Sequence, residues 1–229
     1  MCRQYGWLSL LLRSLPVLLL ICGNRAMASP QLLFTEAYEA IRSQDANLEA
    51  VNLRILSDAE THTSCGPVPD PSLLGLYCLK DRTLYSNPGT LKALTDRFGP
   101  GAVRFLAAHE LAHGRQHAVT GFSSALVWSE VLDELQADCI AGTYLRRTYG
   151  LTPDSADTAG ILAFAETLGD YSYFARGWHG TPGLRQKAVS RGLNQGDPAR
   201  CLSSQRFNYA NLVERGRRWL PVLQRLLQP

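Results

Sequence analysis

The stretch Ala107-Ala108-His109-Glu110-Leu111-Ala112-His113, inside a longer run from Ala102 to about Val119, decides how this chain is read. The run carries a helical pattern, with a break at Gly99-Pro100-Gly101 before it and Gly121 after it. Positions four apart on a helix leave the same face about one turn apart, so His109 and His113 project side by side, as two ligands of one metal ion must. Glu110 stands beside them. Neutral imidazoles bind zinc, zinc lowers the pKa of water towards 7, and a neighbouring carboxylate can take that proton and pass it to a leaving amine. A chance match to this five-residue pattern is expected in roughly 1 in 200 such chains. The setting argues against two ordinary helix histidines, because small and apolar residues surround the pattern and an acidic helix follows it.

A catalytic zinc takes a third protein ligand and keeps one position open. His117 is excluded by geometry, since eight residues of helix separate it from His109 by about 12 Å. The extended pattern with a third histidine after a glycine turn also fails, because Gln116 and Val119 occupy its places. The next helix offers Glu130, Asp133, Glu134 and Asp138, and spacing alone does not choose between Glu130 and Glu134. Asp138 favours Glu134, because it lies one turn later on the same face and can accept the Nδ1 proton of a ligand histidine.

Ala108-His109-Glu110-Leu111-Ala112-His113, followed by Glu134-Leu135-Gln136-Ala137-Asp138-Cys139-Ile140-Ala141-Gly142, resembles the bacterial neutral zinc metallopeptidase family. Cys65-Gly66 with Leu76-Tyr77-Cys78, Asp81 and Leu84-Tyr85 resembles that family's upstream hairpin, and His179-Gly180-Thr181-Pro182 with Arg185 resembles a downstream block; the match runs from about Cys65 to Cys201. The resemblance implies a gluzincin-like, largely helical fold in which His109, His113 and Glu134 hold Zn2+, Glu110 is the base and Asp138 supports a ligand. It also implies pairing of Cys65 with Cys78 and of Cys139 with Cys201. The sequence departs from the family pattern at Pro67, Pro69 and Pro71 and at Leu79, all near the expected substrate edge.

Outward from these motifs, the 229 residues suit one domain with a real core. Apolar residues at 45% and charged residues at 19% are ordinary for a globular chain, and a net charge of +3 with scattered lysines and arginines gives no reason to expect a nucleic-acid partner. Residues 1–28 read as an export signal: Arg3, an apolar run from Leu15 to Cys22, and Ala26-Met27-Ala28 before Ser29. Residues 29–229 are then the single catalytic domain, soluble and periplasmic or secreted. An uncleaved anchor from Tyr5 is interrupted by Arg13 and Pro16, and a lipoprotein site at Cys22 is disfavoured by Ile21. Four cysteines remain after the signal, and an even number of separated cysteines in an exported chain favours disulfides.

The expected fold is mainly α with a small β-hairpin or sheet, an α+β zincin-like domain stapled by disulfides. Helices are expected from Leu32 to about Leu56, from Pro88 to Phe98, from Ser123 or Ser124 to Tyr149, after Thr152-Pro153-Asp154, after Thr181-Pro182, and from Asn208 to Leu227. Leu76 to Leu79 and Thr83 to Tyr85 form the hairpin, and Thr61 to Ser72 is turn chemistry. His179 and Arg185 are candidate donors to a developing oxyanion, with Tyr85 a lesser one, and Asp170 fits either an acidic position of the resembled family or a helix-end cap. The partner is a peptide or protein, which the hairpin edge could bind by strand addition. Arg215, Arg217, Arg218 and Arg225 make the last helix basic enough for peripheral membrane contact. Two rivals share the fold: a non-catalytic protein binding peptides or envelope components, and a zinc amidase acting on cell-wall peptides.

Overall fold

Three helices open with the same grammar, a capping side chain followed by proline. Ser29 accepts from the Leu32 N–H at the start of α1 (Pro30–Arg42), Asn87 accepts from the Thr90 N–H at α2 (Pro88–Phe98), and Thr181 accepts from the Leu184 N–H at α6 (Pro182–Gln195). These elements belong to a computed structural model that describes residues 28–68, 75–120, 130–172 and 178–201. Between α2 and α6 run α3 (Pro100–Thr120), α4 (Glu130–Tyr149) and α5 (Ala156–Thr167). The expected basic helix at Asn208 to Leu227 and the expected signal lie outside the described residues.

The strands are short. β1 (Asn52–Ile55) lies parallel to β5 (Thr83–Ser86), which pairs antiparallel with β4 (Gly75–Cys78), so β4 is an edge of the three-stranded sheet. A two-residue ladder joins β2 (His62–Thr63) to β3 (Gly66–Pro67). The chain is therefore mainly helical with small sheets, and its described residues carry two disulfides, Cys65–Cys78 and Cys139–Cys201. Such cross-links belong to an oxidising compartment. Among the described residues, no helix is long and apolar enough to cross a membrane.

Three expected boundaries are corrected. The helical reading of Leu32 to Leu56 holds only to Arg42. Asp45 then caps a single 3-10 turn, Ala46–Leu48, and β1 follows with exposed and half-buried residues alternating, the period of a strand. The helix expected at Thr152-Pro153-Asp154 begins later, at Ala156: Thr152 to Ser155 close a separate turn, with the Ser155 N–H on the Thr152 carbonyl, and Ser155 takes the N-cap position. Pro100, read as part of a break, is instead the first residue of α3.

The core gathers around α3, which is buried on nearly every side: Ala102, Val103, Phe105, Ala107, Ala108, Leu111 and Ala112 are all enclosed. Helices α4 and α6 meet backbone to backbone. A methyl group placed on Gly192 would lie 2.0 Å from the Cys139 carbonyl oxygen, closer than atoms can approach, so only glycine permits this seam. Asp45 ties the first turn of the domain to the centre, its carboxylate accepting from Arg115 of α3 and, at 2.8 Å, from the Tyr144 hydroxyl of α4. Burial pushes the Asp45 carboxyl up, and hydrogen bonds from Tyr144 and Asn47 outweigh it and hold the group below the usual range.

Candidate metal centre

His109 and His113 leave α3 one turn apart with their Nε2 atoms 3.1 Å from each other. Glu134 reaches them from α4, with Oε2 3.4 Å from His109 Nε2 and Oε1 3.5 Å from His113 Nε2. Two imidazole nitrogens and a carboxylate thus converge, each offering an atom within 4.8 Å of the others. Among the described residues no other group of His, Cys, Asp or Glu donors converges in this way. The set fits a divalent transition metal, for which imidazole nitrogen and carboxylate oxygen are ordinary ligands.

Each histidine is fixed through its other nitrogen. The buried carboxylate of Asp138 lies 3.0 Å from His109 Nδ1. His113 Nδ1 faces Gln116 Oε1 at 2.8 Å, and Gln116 is itself oriented because its Nε2 donates to the Asp133 carbonyl and to Gln136 Oε1, both at 2.9 Å. An acceptor at Nδ1 selects the tautomer protonated there and leaves the Nε2 lone pair for a cation. In the metal-free centre the carboxylates hold protons on the rings. Burial pulls His109 down, yet Asp138 and Glu134 together raise it to about 10, and Glu134 likewise raises His113. Burial pushes Glu134 up, and its bonds to His109 and His113 hold it well below the carboxylate range.

Glu110 is no member of the ligand group. Its Oε2 accepts the backbone N–H of Tyr77 at 2.7 Å, which docks edge strand β4 onto α3. Gly75 makes that approach close, since a methyl group there would sit 2.4 Å from Leu106 Cδ1. Among the described residues Glu110 Oε1 has no hydrogen-bond partner. The carboxylate faces a cleft of about 450 Å³ that the metal group also lines. Leu76, Leu79, Leu94, Leu106, Phe164 and Leu168 give the cleft an apolar lining, and His109, His113, Glu134, His179 and Arg185 also line it.

The remaining candidates separate. His179 is exposed at the cleft. His117 also lines it, with Nδ1 2.9 Å from the Tyr77 hydroxyl, and stays out of the ligand group. Arg185, expected as an oxyanion donor, is 1% exposed and spends its guanidinium on Glu134, Asp138 and the His179 carbonyl. Tyr85 is turned away, donating to Asp81 Oδ2 in a small second core with Leu56 and Val68. Asp170 organises its own turn, accepting from the Ser172 N–H and the Trp178 indole. Glu130 begins α4, and its side chain lies outside the described residues. The sequence reading missed Gln116 as the partner of His113; a glutamine three residues after a ligand histidine, on the same helix face, was the available signal.

No family model and no solved structure matches the chain. It is similar to the uncharacterized protein Rv2575 of Mycobacterium tuberculosis (strain H37Rv), 29% identical over 66% of this chain and 61% of that protein. It is also similar to the uncharacterized protein YpfJ of Escherichia coli (strain K12), 28% identical over 62% of this chain and 57% of that protein. The chain spans about three-fifths of the length of these curated relatives.

Proposed function

We propose that this protein is an exported zinc-dependent endopeptidase, periplasmic or secreted, that hydrolyses peptide bonds in extended segments of protein. The observation that carries the reading is the convergence of His109, His113 and Glu134 beside a fourth group, Glu110, that faces the same cleft without joining them. Three protein donors suit an open catalytic site, whereas a structural zinc is closed by four. When bound, zinc supplies Lewis acidity, polarising a carbonyl and making water acidic near neutral pH.

The chain's own residues do the rest. Glu110 takes the proton of the attacking water and returns it to the leaving amine, a transfer that forms no covalent bond to the protein. The Tyr77 N–H on Oε2 aims the carboxylate, so the proton moves at Oε1. Edge strand β4, whose Tyr77 N–H is held by Glu110, offers its outer edge to a substrate laid alongside, and that mode of binding is tolerant of sequence. Leu94, Leu106 and Phe164 give an apolar side chain of the substrate a place to go. His179, at the open side, is the candidate donor to the oxyanion.

The test is direct. Purified protein is expected to carry close to one zinc per chain and to cut an unfolded protein into a ladder of peptides. A chelator should stop the cutting and added zinc should restore it. A zinc-loaded protein that leaves unfolded proteins and peptides intact would refute the peptidase, and a folded sample that takes up no metal would refute the centre.

A further inference from the structure

The one buried arginine among the described residues is Arg185, 1% exposed. Its Nε and Nη2 grip the two oxygens of Asp138 at 2.6 and 3.1 Å, and its Nη1 lies 2.6 Å from Glu134 Oε2 and 3.3 Å from the His179 carbonyl oxygen. Arg185 borders the cleft yet has its guanidinium engaged on all of these groups, so its work passes through the groups it holds. Those groups are the carboxylate that lies with the two imidazoles and the carboxylate that fixes the tautomer of His109.

We infer that Arg185 is the positioning residue of the metal centre: one guanidinium sets both carboxylates and commits Glu134 Oε2, leaving Oε1 as the oxygen with no second side chain to serve. The inference rests on reading His109, His113 and Glu134 as a metal site and is independent of any peptidase activity. Shape matters here as well as charge. A guanidinium presents several N–H groups in one rigid plane and can serve two carboxylates at once, whereas an ammonium is a point charge on a flexible stem. Lysine at this position keeps the charge and loses the geometry.

The experiment compares zinc affinity, by competition with a chromophoric chelator, and the visible spectrum of the cobalt-loaded protein. The samples are the parent protein, Arg185→Lys, Asp138→Asn, and Asp138→Asn combined with Arg185→Met. The double variant guards against misfolding, because it removes a buried cation together with one buried carboxylate and keeps an oxygen for His109 Nδ1. Loss of a ligand's partner typically weakens metal binding about 10- to 100-fold. Arg185→Lys is expected to bind zinc that much more weakly than the parent, with an altered cobalt spectrum, and the double variant to bind at least tenfold more weakly than Asp138→Asn. A merely structural arginine would lower the melting temperature alone. Variants that match their parents in zinc affinity and cobalt spectrum overturn the inference; a parent that binds neither metal overturns it together with the centre.

Discussion

The two walls of the cleft are built on opposite principles. On the helical wall, His109, His113, Glu134, Asp138, Arg185 and Gln116 form a closed network in which the polar groups hold one another in place. On the strand wall, β4 is a sheet edge that meets α3 through the Tyr77 N–H and Glu110, with leucines on either side. The difference teaches where rigidity is needed. Under the proposed function, a metal centre gains from ligands placed in advance, whereas a surface for varied polypeptide gains from an accessible sheet edge.

That contrast can be broken at Glu110, where the walls meet. Glu110→Gln keeps an acceptor for Tyr77 and loses the base, so hydrolysis should fall by about 10²- to 10⁴-fold with zinc content unchanged. Equal cleavage by both proteins would remove Glu110 from the mechanism. Next in size, Gly192→Ala forces α6 away from α4 and should cost about 1–3 kcal/mol in denaturant unfolding, with the β4 edge untouched. An unchanged midpoint would show that the seam is looser than its geometry implies.

Gln116→Ala is a finer probe of the helical wall. It frees His113 Nδ1 while leaving all three ligands, and zinc binding should weaken by about tenfold; an unaltered affinity would mean that His113 needs no orienting partner. The last probe is pH. The metal-free His109, raised to about 10 from 6.5, adds stability that is complete below pH 6.5 and is lost as pH climbs through 10. Metal binding requires that proton to leave, so the gap in melting temperature between zinc-loaded and chelated protein should widen as pH rises over that interval. A gap that narrows would contradict the proton assignment.

Much of this was legible because its signals are local. Asn87-Pro88 and Thr181-Pro182 start helices where a cap and a proline coincide, and His109 and His113 share a face by the helical repeat alone. The stretch Val51 to Leu56 was harder, since a short apolar-rich run fits a helix face or a strand, and only pairing with β5 decides. Thr152-Pro153 misled because a cap followed by proline also opens a single turn, here closed by the Ser155 N–H on the Thr152 carbonyl. The convergence of Glu134, rather than a neighbouring acid, with the two histidines, and the engagement of Arg185 with Glu134 and Asp138, come from tertiary packing. They depend on α6 lying against α4 across 47 residues of chain.

The Cys139–Cys201 bond has a consequence for how that packing survives motion. Cys139 follows Asp138 directly, and its partner lies 62 residues later, just past α6. When the seam between α4 and α6 breathes, the covalent tether keeps the detached helix at high effective concentration beside its socket. Reclosure is then an encounter within one chain, and an opening that parts Arg185 from Glu134 and Asp138 becomes a brief excursion.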